Sequence, residues 1–137
     1  MKLYIMDACA MLALLRNEIG ADVVADIINA ANNNKLKIIM HKANLLEVYY
    51  DLVRSFEKSV ADKILAEILN RPIEVNSEIS DEIFLEAGYL KAKYKISFAD
   101  SFALAQAKVS GGALLTSDHH EFDIIEGKEN IEFAWIR

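Results

Sequence analysis

The feature that most constrains this chain is an alternation. Short apolar runs, each too brief for a stable helix, are separated by segments with helical spacing. The runs are "KLYIM" (2–6), "KLKIIM" (35–40), "PIEVN" (72–76), "GGALLTSD" (111–118) and "IEFAWI" (131–136). Each is rich in β-branched or aromatic residues, or is bounded by turn residues, and reads as a strand. Between them, "DACAMLALLRN", "GADVVADIINAANNN", "ANLLEVYYDLVRSF", "KSVADKILAEIL", "SDEIFLEAGYLKAKY" and "ISFADSFALAQAKV" read as helices. Val23, Ile27 and Ala30/Ala31 share one helical face. Leu45, Leu46, Tyr49, Leu52, Val53 and Phe56 share another. Strands alternating with helices imply an α/β fold with a mainly parallel sheet of about five strands.

Other features bound the molecule. The 137 residues fit one domain spanning 1–137, long enough to bury a core. With 53% hydrophobic and 26% charged residues the chain is globular rather than disordered. No apolar run reaches the ~18 residues of a membrane span. Asp7 interrupts the apolar start, which argues against a signal peptide. A lone cysteine provides neither a disulfide framework nor a zinc cluster, and a cytoplasmic protein is expected. A net charge of −6 argues against simple electrostatic binding of nucleic acid. That charge is uneven: basic residues outnumber acids from Lys35 to Lys63, and Lys91, Lys93 and Lys95 form a second basic cluster.

"ISFADSFALAQAKV" poses the sharpest question. The helix is apolar on nearly every side and should be buried, yet Asp100 lies in its first turn. In a parallel sheet, ligands bind beyond the carboxyl ends of the strands. Asp7 follows the first strand and Asp118 the fourth. Glu47 lies early in the helix after the second strand, and Asp100 opens the helix that feeds the fourth. All four acids can converge at that edge. Each also has a plainer reading: Asp7 as a helix N-cap, Glu47 on a solvated face with Asp51 and Arg54, Asp100 in a capping arrangement with Ser97, and Asp118 as a strand end. Crowded carboxylates repel, by roughly 4 kcal/mol for a pair ~4 Å apart at an effective dielectric of 20. They therefore shift their protonation or hold a cation. Oxygen-only donors favour Mg²⁺ or Mn²⁺, ions suited to phosphoester hydrolysis.

The segments "YIMDACAMLALL", "LLEVYY", "SFADSFALAQA" and "ALLTSDHHEFD", in that order, resemble those of PIN-domain ribonucleases, and within them the VapC-type toxins of toxin–antitoxin pairs. The resemblance covers essentially the whole chain. It implies a three-layer α/β/α fold, a central parallel sheet with helices on both faces and strand 1 beside strand 4 at its centre, and a metal-dependent endoribonuclease acting on RNA. It implies that Asp7, Glu47, Asp100 and Asp118 hold one or two Mg²⁺ or Mn²⁺ ions and position the attacking water. Asp123 matches, loosely, an additional acid of some members. Thr116 matches a hydroxyl residue two places before the last acid. The resemblance also implies a homodimer and a cognate antitoxin. Cys9 departs from the family, which commonly has Ser, Thr or Asn there; a thiol is a weak donor. The stripe Leu45/Tyr49/Leu52/Phe56, with Leu65, Ile68 and Leu69, reads as core or as dimer or partner surface. His41, and His119 and His120 in a polar loop, read more naturally as surface residues than as ligands or bases.

Two further readings compete. Asp7 as the nucleophile of a phosphotransferase or phosphatase uses the same strand-end geometry. The haloacid-dehalogenase pattern wants an acid at position 9, where Cys9 stands, and a receiver-like acceptor wants an Asp after the third strand, where "PIEVNSEIS" has none. A catalytically silent interaction module is the other alternative.

Overall fold

The computed structural model describes residues 1–137. Five strands form one sheet in the order β3-β2-β1-β4-β5, every pair parallel. They are β1 (Lys2–Met6), β2 (Leu36–His41), β3 (Glu74–Asn76), β4 (Ala113–Thr116) and β5 (Glu132–Trp135). The helices are α1 (Ala8–Leu15), α2 (Ala21–Asn32), α3 (Lys42–Ser55), α4 (Lys58–Leu69), α5 (Asp81–Lys93), α6 (Phe98–Ser110) and α7 (His119–Phe122). The expected α/β layering is present, and β1 lies beside β4 at the centre.

The inner strands are apolar in continuous runs because both faces of the sheet are covered. Met6, Ile38, Met40 and Leu115 enter one core with α1, α2, α3 and α4. Ile5 and Leu114 point the other way, into a core with α5, α6 and Phe122. Successive residues of one strand thus anchor opposite helical layers. No helix is long and apolar enough to cross a membrane.

Three local readings shift. On α2 the buried line is Ala21, Val24, Ile28 and Ala31, about one residue on from the expected face, and Val23 is exposed. Both lines have helical spacing, and packing on the sheet chooses between them. On α3 the broad stripe divides: Leu45, Val48 and Leu52 enter the core while Leu46, Val53 and Phe56 remain exposed. Residues 119–122, expected as a polar loop, form the short helix α7, started by Asp118 accepting from the Glu121 N–H at 3.1 Å.

The α6–β4 connection fixes the site. Gly111, at φ 73°, closes α6 in the left-handed conformation glycine tolerates best. At Gly112, a Cβ would stand 3.0 Å from Leu3 and 3.1 Å from Ile5, so glycine lets the turn press against β1. The chain therefore enters β4 directly from α6, with the start of α6 at the carboxyl end of the sheet.

Candidate active site

β1 and β4 are the central neighbours, and the chain leaves them for opposite sides of the sheet. This is the topological switch point where open α/β sheets place ligands. Register pairs Met6 with Leu115, so Asp7 stands beside Thr116. The Asp7 N–H still reaches the Leu115 carbonyl at 3.3 Å. Its side chain then does two things. Oδ1 accepts from the Ala10 N–H at 2.9 Å and caps α1, while the buried Oδ2 has no hydrogen-bond partner. The residue is 1% exposed. Burial pushes its pKa up to about 7, opposed by the Thr116 hydroxyl and the Ala10 N–H and reinforced by Asp100 and Asp118. Thr116 faces this carboxylate, but its hydrogen bond of good geometry is the one its Oγ1 accepts from the Asp118 N–H, at 3.0 Å. Thr116 thereby orients the turn that carries Asp118.

Asp100 is 8% exposed, and its backbone N–H is capped by the Ser97 hydroxyl at 3.1 Å. The capping reading of "SFAD" is therefore correct for the backbone. It leaves the carboxyl free to face its neighbours. Burial raises that carboxyl to about 6, with Ser97 pulling down and Glu47 and Asp118 pushing up. Glu47, half-buried in the second turn of α3, is also raised, first by burial and then by Asp118 and Asp51. Asp100 and Asp118 thus lie within electrostatic reach of both Asp7 and Glu47.

Cys9 lies in their midst. Burial and then Asp7, Asp118, Asp100 and Glu47 raise its thiol pKa, so the sulfur stays protonated and is no nucleophile. Asp123 is not gathered with the four: it is exposed and lies 2.7 Å from His119 Nδ1. The other nitrogen of His119 lies 2.9 Å from the Arg137 carbonyl, and the ring stacks on Trp135. Both nitrogens are engaged by acceptors, so His119 has no lone pair for a metal. His120 is exposed.

Sequence reasoning passed over two residues. His41, read as a surface residue, is 3% exposed. Its Nδ1 accepts from the Ala43 N–H at 3.0 Å and caps α3, so Nε2 carries the proton and donates to the Glu78 carbonyl at 3.0 Å. Asn44, fully buried, donates from Nδ2 to the Ala99 carbonyl at 3.0 Å and leaves Oδ1 without a partner. That bond ties the start of α3 to the start of α6, and hence Glu47 to Asp100. The signal was a polar residue three before Glu47, on the same helical face.

No three of these side chains, nor any other three His, Cys, Asp or Glu, are drawn together closely enough to ligate one ion. Their chemistry nevertheless suits a hard divalent cation. The carboxylate donors are all oxygen, one buried oxygen is bare, and two acids are held well above their ordinary proton affinity.

A model of the PIN domain matches residues 4–128. The chain belongs to the PIN-domain family. The fold of this PIN domain is similar to the DNA-bound VapBC of Salmonella typhimurium, at TM-score 0.75 and 13% identity over 100% of both chains. It is similar to VapBC2 of Rickettsia felis bound to a fragment of their promoter DNA, at 0.73 and 18% over 96% of this chain and 97% of that one. It is also similar to a toxin–antitoxin complex from Klebsiella pneumoniae, at 0.63 and 16% over 93% and 94%. At such identities the likeness is one of fold. Comparison with curated proteins finds no match.

Proposed function

We propose that this PIN domain, as a single domain over residues 1–137, is a metal-dependent endoribonuclease and the toxin of a type II toxin–antitoxin pair. The observation that carries the reading is Asp7: a buried carboxylate at the switch point, with one oxygen fixed by a helix cap, the other unpartnered, Asp100 and Asp118 in electrostatic range, and Glu47 in range of those two. Membership of the family and the likeness to VapBC folds support it.

In this reading Asp7, Glu47, Asp100 and Asp118 hold one or two ions, Mg²⁺ or Mn²⁺. Bound there, such an ion lowers the pKa of a water and offsets charge developing on the phosphate. The chain's own residues fix the elements that carry these acids. The Ala10 N–H fixes the orientation of Asp7, Ser97 fixes the start of α6, Thr116 fixes the Asp118 turn, and Asn44 holds Glu47 beside Asp100. Asp123, turned to His119, is the weakest member of the proposed set. Two exposed apolar faces suit self-association and an antitoxin: Leu46, Tyr50, Val53 and Phe56 on one side, and Phe84, Leu85 and Phe98 on the other. We place the protein in the cytoplasm.

Asp100→Asn tests the reading, because it keeps shape and removes charge. The expected result is lost RNA cleavage and weakened divalent-ion binding with an unchanged circular-dichroism spectrum. Undiminished metal-dependent cleavage would contradict it. In the rival interaction module, this substitution alters no activity.

A further inference from the structure

A polyanionic strand approaching four acids in a molecule of net charge −6 needs cations near the cut site. Two lie along the helices that leave it. On α3, Glu47, Asp51 and Arg54 follow one another at spacings of four and three, on one face. Seven residues separate Glu47 from Arg54, which is roughly 10 Å along the axis. On α1, Arg16 caps the helix two turns after Cys9. The two arginines meet on Asp51: Arg16 bonds its Oδ2, and Arg54 bonds its Oδ1 at 2.7 Å. The Asp51 side chain is only 10% exposed, while those of Arg16 and Arg54 are 46% and 63% exposed. Arg54 is braced again by Tyr50, whose ring lies 5.0 Å from it and whose hydroxyl accepts at 3.1 Å. A solvated surface pair gains little and loses entropy by staying ordered. Here one buried acid holds two guanidiniums side by side, leaves a net positive charge, and occupies few of the five N–H donors on each.

Resting on the ribonuclease reading, we propose that Arg16 and Arg54, forked on Asp51, form a phosphate-binding subsite for the RNA backbone one nucleotide or more from the scissile bond. The pre-ordered forks match phosphate oxygens and lose little entropy on binding. The subsite sets the register of the backbone where the end of α1 meets α3, and it carries no preference for base.

The test is the pair Arg16→Gln/Arg54→Gln, which keeps a hydrogen-bond donor to Asp51, against Arg16→Lys/Arg54→Lys. Binding of a labelled mixed-sequence single-stranded RNA is measured across a salt series in the non-cleaving Asp100→Asn background with Mg²⁺. KM and kcat for its cleavage are measured without that substitution. We expect the Gln pair to weaken binding about tenfold and to lower the salt slope by about 0.7 for each phosphate no longer neutralised. KM should rise while kcat holds and the protein stays folded at the assay temperature. The thermal midpoint should fall, because Asp51 loses its two cationic partners, and the Lys pair should recover part of the affinity. If the unsubstituted protein cuts no RNA yet binds it with this arginine dependence, the ribonuclease reading falls and the subsite stands. Affinity and salt slope that do not change, or a weakening that merely follows unfolding and is not rescued by lysine, would overturn the subsite. Unchanged RNA binding with abolished binding of poly-glutamate would overturn it in favour of an acidic protein partner.

Discussion

Asp7 is an ordinary helix cap through one oxygen and a buried acceptor without a well-formed hydrogen bond through the other, and its burial has a thermodynamic consequence. A carboxyl whose pKa is raised on folding binds more protons in the folded chain than in the unfolded one. It favours folding below the unfolded pKa, and that contribution is lost as pH rises through the folded one. Asp7 moves from 3.8 to about 7 and Asp100 from 3.8 to about 6. The metal-free protein should therefore lose stability between about pH 4 and 7, by an amount on the order of 4 kcal/mol from Asp7 alone. Thermal melts in chelator across that range measure it. Asp7→Asn should flatten the profile, and a profile as steep in the variant would assign the loss to other groups. Asn44 makes a second case. Asn44→Ala removes the bond to Ala99 and should cost about 1–2 kcal/mol in urea denaturation. It should lower kcat more than the stability loss explains, because Glu47 is no longer held beside Asp100. At this scale the acids were legible as residue types at strand ends. The supports were not, because an Asn or a His reveals a positioning role only through the carbonyl it reaches across the fold.

Among the elements, α6 and β4 form one unit, and the two glycines between them decide how close it comes to β1. Gly112→Ala would drive a Cβ against Leu3 and Ile5, and should destabilise the fold by about 1–3 kcal/mol. Gly111→Ala acts by another route, holding a side chain at φ 73°, for roughly 1–2 kcal/mol. Denaturation midpoints of the two variants measure both costs. A neutral Gly112→Ala would mean that β1 and the turn are less tightly apposed than this geometry requires. Element type was readable because continuous apolar runs and helical spacing follow directly from a sheet covered on both faces. Which residues of a helix face inward was less so. On α2, Val23 and Val24 are chemically equivalent, and only the docked position of the helix on β2 distinguishes them. On α3, the wide stripe held both core residues and residues that stay in solvent, and α4 covers only part of it.

For the whole molecule, the parallel 3-2-1-4-5 order brings residues 7, 47, 100 and 118 to one edge although they are far apart in sequence. The opposite layer is pinned by a different carboxylate. Glu129 has a side chain only 4% exposed and lies within hydrogen-bond reach of Lys93, Lys108 and Tyr94. Burial alone would raise its pKa, but Tyr94, Lys108 and Lys93 outweigh burial and hold it at about 2. Its contribution to folding is therefore present above the ordinary carboxylate range and is lost only in strong acid, the reverse of Asp7. Glu129→Ala should cost on the order of 3 kcal/mol at neutral pH in urea denaturation and should leave cleavage intact. That the four acids cut RNA with a divalent ion is the claim on which the rest depends. Incubating a labelled mixed-sequence RNA with the purified protein, in Mg²⁺, in Mn²⁺ and in chelator, beside Asp7→Asn, tests it most directly. The expected result is internal cuts that need the ion and vanish in the variant. Cuts that persist in chelator or in Asp7→Asn, or no cutting together with no thermal shift on adding either ion, would contradict it.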